Sequence, residues 1–250
     1  VTVHGWSFSG GVSKFRKYFM ILLERILSFA VSRYILVSKY DFDLALRERI
    51  SDIRKLKIIY NGAVVPSQSR NSFRKESLII TMVARFDLQK DQMELLEACS
   101  DFENVTINFV GDGPTRLNVE SCYKSGKYKC KVNFLGFKRD VLNVLLESDM
   151  FALISNWEGF PISTIEAMSI GLPVIVSNVG GAAECVSNGE NGFVIEKGDL
   201  KSLRNVISQI ILKPDVLPLM GNKSRKIFIE QFTITKFYSN TLNFYMEVIN

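Results

Sequence analysis

The chain has 250 residues, 47% of them hydrophobic and 23% charged, with a formal net charge of +5, which is ample for a packed core in one or two domains. No apolar run approaches the ~20 residues of a membrane-spanning helix, and nothing has the make-up of a secretory leader. Cys99, Cys122, Cys130 and Cys185 form no Cys-x-x-Cys pair, which argues against a disulfide framework or zinc site and for a reducing, cytoplasmic setting.

The chain opens VTVHGWSFSG, a strand-like run that ends at its only histidine, His4. SKFRKYFMILLERILSFAV (13–31) reads as a helix apolar nearly all round, followed by the strand YILVS (34–38). Asp41-Phe42-Asp43 opens a polar helical stretch after Ser38, where a cap and first-turn acids belong, so this Asp-x-Asp is structural and no metal is expected there. IIYNGAVV (58–65) then leads into PSQSRNSFRKES (66–77), a dense run of loop formers with the character of a linker.

Beyond the linker, strands and helices alternate. LIITMVAR (78–85), VTINFVG (105–111), KVNFLG (131–136), MFALIS (150–155) and LPVIVS (172–177) read as strands, and DQMELLEAC (91–99) as the first helix between them. The alternation predicts an α/β fold with a parallel sheet, whose strand ends are where such sheets hold ligands. Leu203, Val206, Ile207, Ile210 and Ile211 mark one face of a helix over 199–213, and Phe237, Thr241, Phe244, Tyr245 and Val248 repeat that spacing in a last helix. The expected organisation is a remnant of an N-terminal, acceptor-side domain (1–60), an interdomain linker (61–77), a complete Rossmann-like domain (78–232) and a helix returning toward the first domain (233–250). A strand, a helix and a strand are too little for a domain, which takes on the order of 100 residues, so the chain reads as N-terminally incomplete.

Charge is uneven: residues 1–60 hold 11 Lys and Arg against 5 Asp and Glu, +6, leaving −1 for the remainder. Such an excess suits an anionic partner, nucleic acid or a membrane leaflet, or is merely solvated. Lys14, Arg16, Lys17 and Arg25 beside Phe15, Tyr18 and Phe19 make residues 14–33 a candidate for peripheral membrane contact; packing against further sheet is the alternative.

The densest chemistry lies in NWEGFPISTIEAMSIGLPVIVS (156–177). Pro161 suits the first turn of a helix, and Gly171 with Pro173 its end. Glu158 then precedes the helix and Glu166 lies roughly 7–8 Å along its axis from Pro161, with an anion-binding N-terminus between the two carboxylates. A nucleotide sugar has this layout: a central diphosphate with a hydroxylated group at each end. The alternative for Glu166 is a Ser163-to-Glu166 capping box. Upstream, VARFDLQKDQ (83–92) places Arg85 and Lys90 beyond a strand, where two cations suit a leaving diphosphate, or are ordinary loop cations. GDGP (111–114) permits close backbone approach but is weak alone.

Taken in order, ARFDLQK, GDGP, FLGF (134–137), EGFPISTIEAMSIGLPVIVS, Gly180-Gly181 with Glu184, and NGF (191–193) resemble the donor-binding half of GT-B retaining glycosyltransferases, specifically family 4, over about residues 1–240. The resemblance implies that Arg85 and Lys90 bind the donor diphosphate, Glu166 the ribose hydroxyls and Glu158 the transferred sugar. It implies that Gly111, Gly159, Phe160, Ser163 and Thr164 line sugar and phosphate, and that Phe137 and Lys138 border the base. TVHG (2–5) resembles the family's histidine-bearing strand end, which would set His4 at the reacting centre. The implied activity is transfer of a hexose or N-acetylhexosamine from a nucleotide sugar, a UDP-sugar, to a saccharide or lipid-linked saccharide in cell-surface glycan synthesis, without metal cofactor or nucleic-acid partner, at the cytoplasmic face of the membrane. A GT-B-like epimerase and a non-catalytic nucleotide-sugar module are the alternatives, and the 250 residues alone are expected to transfer no sugar.

Overall fold

The computed structural model describes residues 1–70 and 76–249; the part of the linker at 71–75 lies outside the described residues. Two parallel sheets organise the chain. The first is built from β1 (Thr2–Val3), β2 (Tyr34–Leu36) and β3 (Leu56–Ile58) in the order β1-β2-β3, with α1 (Lys14–Leu27) and α2 (Lys39–Arg47) between them. The second runs β6-β5-β4-β7-β8-β9, from β4 (Leu78–Val83), β5 (Val105–Val110), β6 (Lys131–Gly136), β7 (Met150–Leu153), β8 (Val174–Ser177) and β9 (Gly192–Ile195). Chain order reverses between β4 and β7, so the second sheet has its crevice at the carboxyl ends of those two strands.

Helices α3 (Gln92–Ala98), α4 (Arg116–Lys124), α5 (Leu142–Leu146), α6 (Ile162–Ser169), α7 (Leu200–Leu212) and α8 (Val216–Gln231) accompany this sheet. Strands β7 and β8 are buried at every residue, which is why they appear in sequence as unbroken apolar runs rather than alternating ones. In α7, Leu203, Ile207 and Ile210 are buried, and Asp199 caps the helix by accepting the Ser202 N–H at 3.0 Å.

Several elements differ from the periodic pattern. β9, α4 and α5 are short and carry little period, and α8 contains Pro218 and Gly221. Pro218 falls in the first turn of α8, where the missing N–H has no intrahelical partner to lose. α1 ends at Leu27 rather than Val31, and only Ile21 of that helix is buried; Phe15, Tyr18, Phe19, Leu22 and Ile26 are exposed. Among the described residues no helix is long and apolar enough to cross a membrane.

The chain passes between the two sheets twice, and the crossings are bonded to each other. Ala63 donates to the Phe232 carbonyl at 2.9 Å and accepts from the Ile234 N–H at 2.8 Å. Beside them Tyr60, Phe160 and Phe232 form an aromatic cluster with centroids 4.9–5.5 Å apart. After the second crossing α9 (Ile234–Ile249) packs Phe244 onto Ile35 and Ile59 of the first unit. The described start of the linker segment is anchored: Arg70 donates its N–H to the Ile170 carbonyl at 2.8 Å and its guanidinium to the Leu146 carbonyl at 2.7 Å, and it pairs with Asp149.

Candidate active site

The loops after β4 and β7 meet at the crevice and are zipped together by backbone. Asp91 donates to the Ile154 carbonyl at 2.9 Å and Asn156 to that of Gln89 at 2.7 Å. This holds Lys90 against Glu158: the ammonium contacts the Glu158 carboxylate, with side-chain exposures of 14% and 5%. Gln89 donates to the other carboxylate oxygen at 3.3 Å and to the Trp157 carbonyl at 2.8 Å. Gln89 does not stand out in the sequence, because an uncharged amide in a loop carries no signal until its partners are known. Arg85 extends from the same loop, its side chain 71% exposed, 3.8 Å from Asp87, and its carbonyl is held by the Gln92 amide at 2.9 Å.

Helix α6 starts directly after the Glu158 loop. Its N-cap is Pro161, without a side-chain cap, so Ser163 lies inside the first turn and the Ser163-to-Glu166 capping box does not form. Ser163 is half-buried and Thr164 fully buried, so Thr164 presents no surface to a ligand here. Phe160 is also buried, its ring tilted against those of Tyr60 and Phe232, and its carbonyl accepts the Asn61 amide at 3.0 Å.

Glu166 lines a hollow of about 470 Å³ together with Val65, Pro66, Arg139, Leu142 and Ser169. Burial pushes its carboxyl above the usual carboxylate range. Phe137, 78% exposed, and Lys138 sit just before Arg139 on the same loop but do not line the hollow. Arg139 was hidden in sequence among ordinary loop charges, and Pro66 among linker residues.

Gly111 and Gly113 have φ of +138° and +151°, and a Cβ on them would come within 2.0 Å of the Ala84 carbonyl and 2.2 Å of the Phe86 carbonyl. The close approach permitted by GDGP is therefore to the Arg85-bearing loop, which it braces.

From the first unit, the end of β1 reaches the Glu158 loop. A Cβ on Gly159 would lie 2.6 Å from the His4 carbonyl, and His4 itself is exposed. Asp41 holds that turn in place. Its carboxylate accepts from the Ser38 hydroxyl at 2.7 Å and the Trp6 N–H at 3.4 Å, and its carbonyl accepts the Trp6 indole at 2.9 Å. Desolvation raises the Asp41 carboxyl against the opposing effect of those bonds. The structure thus brings His4, Lys90, Glu158 and Gly159 together before the start of α6, with Arg85 on the Lys90 loop and Glu166 apart from them on its own hollow.

Comparison with known proteins agrees with this architecture. The family described as "Glycosyl transferases group 1" matches residues 66–231. The UDP-Gal:alpha-D-GlcNAc-diphosphoundecaprenol alpha-1,3-galactosyltransferase of Escherichia coli is 30% identical, with 99% of this chain and 68% of that protein covered. Among solved structures, the sucrose-phosphate synthase of Thermosynechococcus elongatus superposes with a TM-score of 0.86 at 21% identity, over 99% of this chain and 67% of that one. Anabaena Alr3699/HepE in complex with UDP-glucose gives 0.81 at 21% identity, over 98% and 71%. These likenesses show the GT-B fold, and the match over residues 66–231 places the chain in the glycosyl transferases group 1 family.

Proposed function

We propose that this chain is the donor-binding part of a family 4, retaining enzyme that moves a hexose or N-acetylhexosamine from a UDP-sugar to a saccharide or lipid-linked saccharide during cell-surface glycan synthesis. The observation that carries it is the Lys90–Glu158 pair at the switch point, before the uncapped start of α6, the helix that also carries Glu166. Arg85, Lys90 and the α6 N-terminus meet the diphosphate, Glu166 the ribose, and the base enters between Arg139 and Pro66. Glu158 and His4 face the sugar. As the glycosidic bond breaks, negative charge grows on the diphosphate, and positioned cations act mainly on that state; protein cations take this part without a metal. Glu158 is held by Lys90 rather than left free to attack, and retention then proceeds by same-face attack through an oxocarbenium-like state. The E. coli relative's name supplies a UDP-sugar donor and a diphosphoundecaprenol-linked acceptor.

In the complete protein, Glu166→Ala and Arg85→Ala should each lose most UDP binding, measured by titration calorimetry; wild-type affinity in both would sink the assignment. Membrane contact is part of the same proposal, at the cytoplasmic face, through the exposed Phe15, Tyr18, Phe19 and Leu22 of α1 with Lys14 and Arg16. Co-sedimentation with anionic vesicles at low salt tests it.

A further inference from the structure

Glu184 stands apart from the donor crevice, yet it ties together the pieces that face each other across it. It lies on the 3-10 turn Ala182–Cys185 after β8. Its two carboxylate oxygens accept the N–H groups of Lys39 at 2.8 Å and Tyr40 at 2.7 Å, from the first unit. These are the first two amides of α2; Ser38 supplies the acceptors for the next two, through its hydroxyl to Asp41 at 3.0 Å and its carbonyl to Phe42 at 3.2 Å. A full negative charge thus sits on the positive end of a helix that belongs to the other sheet. Burial, and after it the nearby Glu184 charge, raise the Tyr60 hydroxyl at the crossing.

The base of the turn is equally fixed. Gly181 donates to the Gly159 carbonyl at 2.8 Å, and a Cβ on Gly180 would fall 1.9 Å from the Glu158 carbonyl. On the other side, α2 holds the His4 turn through Asp41 and Trp6. One continuous path therefore runs from the Glu158 loop through Gly181 and Glu184 into α2, and on to His4.

We propose that Glu184 is a positioning residue for transfer: its carboxylate clamps α2 so that His4 and Glu158 face one donor sugar. The role in transfer rests on the proposed function; the clamp itself does not. The test uses the complete protein with Glu184→Ala, Glu184→Gln and Lys39→Pro. Proline at the first position of α2 removes one clamped N–H without breaking the helix, and the extended backbone of Ser38 (φ −147°, ψ 157°) accepts it.

Each variant should keep UDP affinity within threefold and lose turnover of a UDP-sugar by about 10- to 100-fold, the scale of losing charge-assisted hydrogen bonds. Glu184→Gln combined with Lys39→Pro should lose less than the product of the two single losses, because both cut one contact. X-ray scattering should show a larger radius of gyration for Glu184→Ala with or without UDP. Wild-type turnover in the variants, or UDP affinity falling in step with turnover, overturns the positioning role. If the wild type itself ignores UDP-sugars, the donor assignment has failed, and an unchanged radius of gyration in Glu184→Ala then decides against the clamp.

Discussion

The ammonium of Lys90 touches the carboxylate of Glu158 at the point where the order of the second sheet reverses. Both side chains are largely buried, so each charge depends on the other. Lys90→Met should destabilise the protein by about 3–5 kcal/mol, because an uncompensated carboxylate stays behind. Lys90→Met with Glu158→Gln should recover most of that stability and none of the sugar transfer. Denaturant unfolding alongside a transfer assay separates the two effects; additive stability losses would show that the pair is not coupled.

Glu166 supplies a pH signature. Burial raises its carboxyl, so in the folded protein it takes up a proton at a higher pH than in the unfolded chain. Stability linked to this group is greatest at low pH, falls as pH rises above the unfolded value, and levels off above the folded one. Donor binding runs the opposite way, since ribose hydroxyls donate to the ionised form. UDP affinity should therefore decline as pH drops through the raised value, and Glu166→Gln should bind weakly with that limb absent. A wild-type profile flat on the acid side is the outcome that removes Glu166 from the ribose.

How much of this was legible in the sequence depended on the kind of signal. β7 and β8 announced themselves as apolar runs because helices cover both faces of the sheet, and α7 through its period. α8 stayed hidden because Pro218 and Gly221 look like breakers until one sees that the proline sits in the first turn. At the site, charge and spacing pointed to Arg85, Lys90, Glu158 and Glu166; Lys90 and Glu158 are in contact, Arg85 extends from the Lys90 loop, and Glu166 lines a hollow of its own. Spacing said nothing of side-chain depth: Phe160 and Thr164 are buried, Gln89 and Arg139 acquire meaning only from neighbours far away in the chain, and Glu184 stood in the Gly-Gly motif without a role.

Gly159 is the closest backbone approach between the two units at the crevice. Gly159→Ala would put a methyl 2.6 Å from the His4 carbonyl, so the β1 turn must shift. Turnover should fall by about 100-fold, as misplacement of about 1 Å does in other sites, while the thermal midpoint moves only a few degrees. Unaltered turnover would mean that the His4 turn is not part of the working geometry.

Arg70 makes a stability prediction independent of catalysis. Its side chain and that of Asp149 are 6% and 0% exposed, and Asp149 also accepts the Ile79 N–H at 2.8 Å at the start of β4. Arg70→Ala should cost about 3–5 kcal/mol, and Arg70→Lys should restore little, since an ammonium lacks the planar fork that serves both Asp149 and the Leu146 carbonyl. Chemical denaturation monitored by circular dichroism reads both.

The paired crossings at Ala63 and Phe232–Ile234 restrict how the two units can move. A single tether would allow swivelling in any direction. Two strands of chain, bonded side by side and flanked by Tyr60, Phe160 and Phe232, behave as a door hinge: they bend together about one axis and resist twist. An opening about this axis carries His4 away from Glu158 along an arc, so the route of the chain limits the direction of the swing and leaves the closed register to the Glu184 contacts.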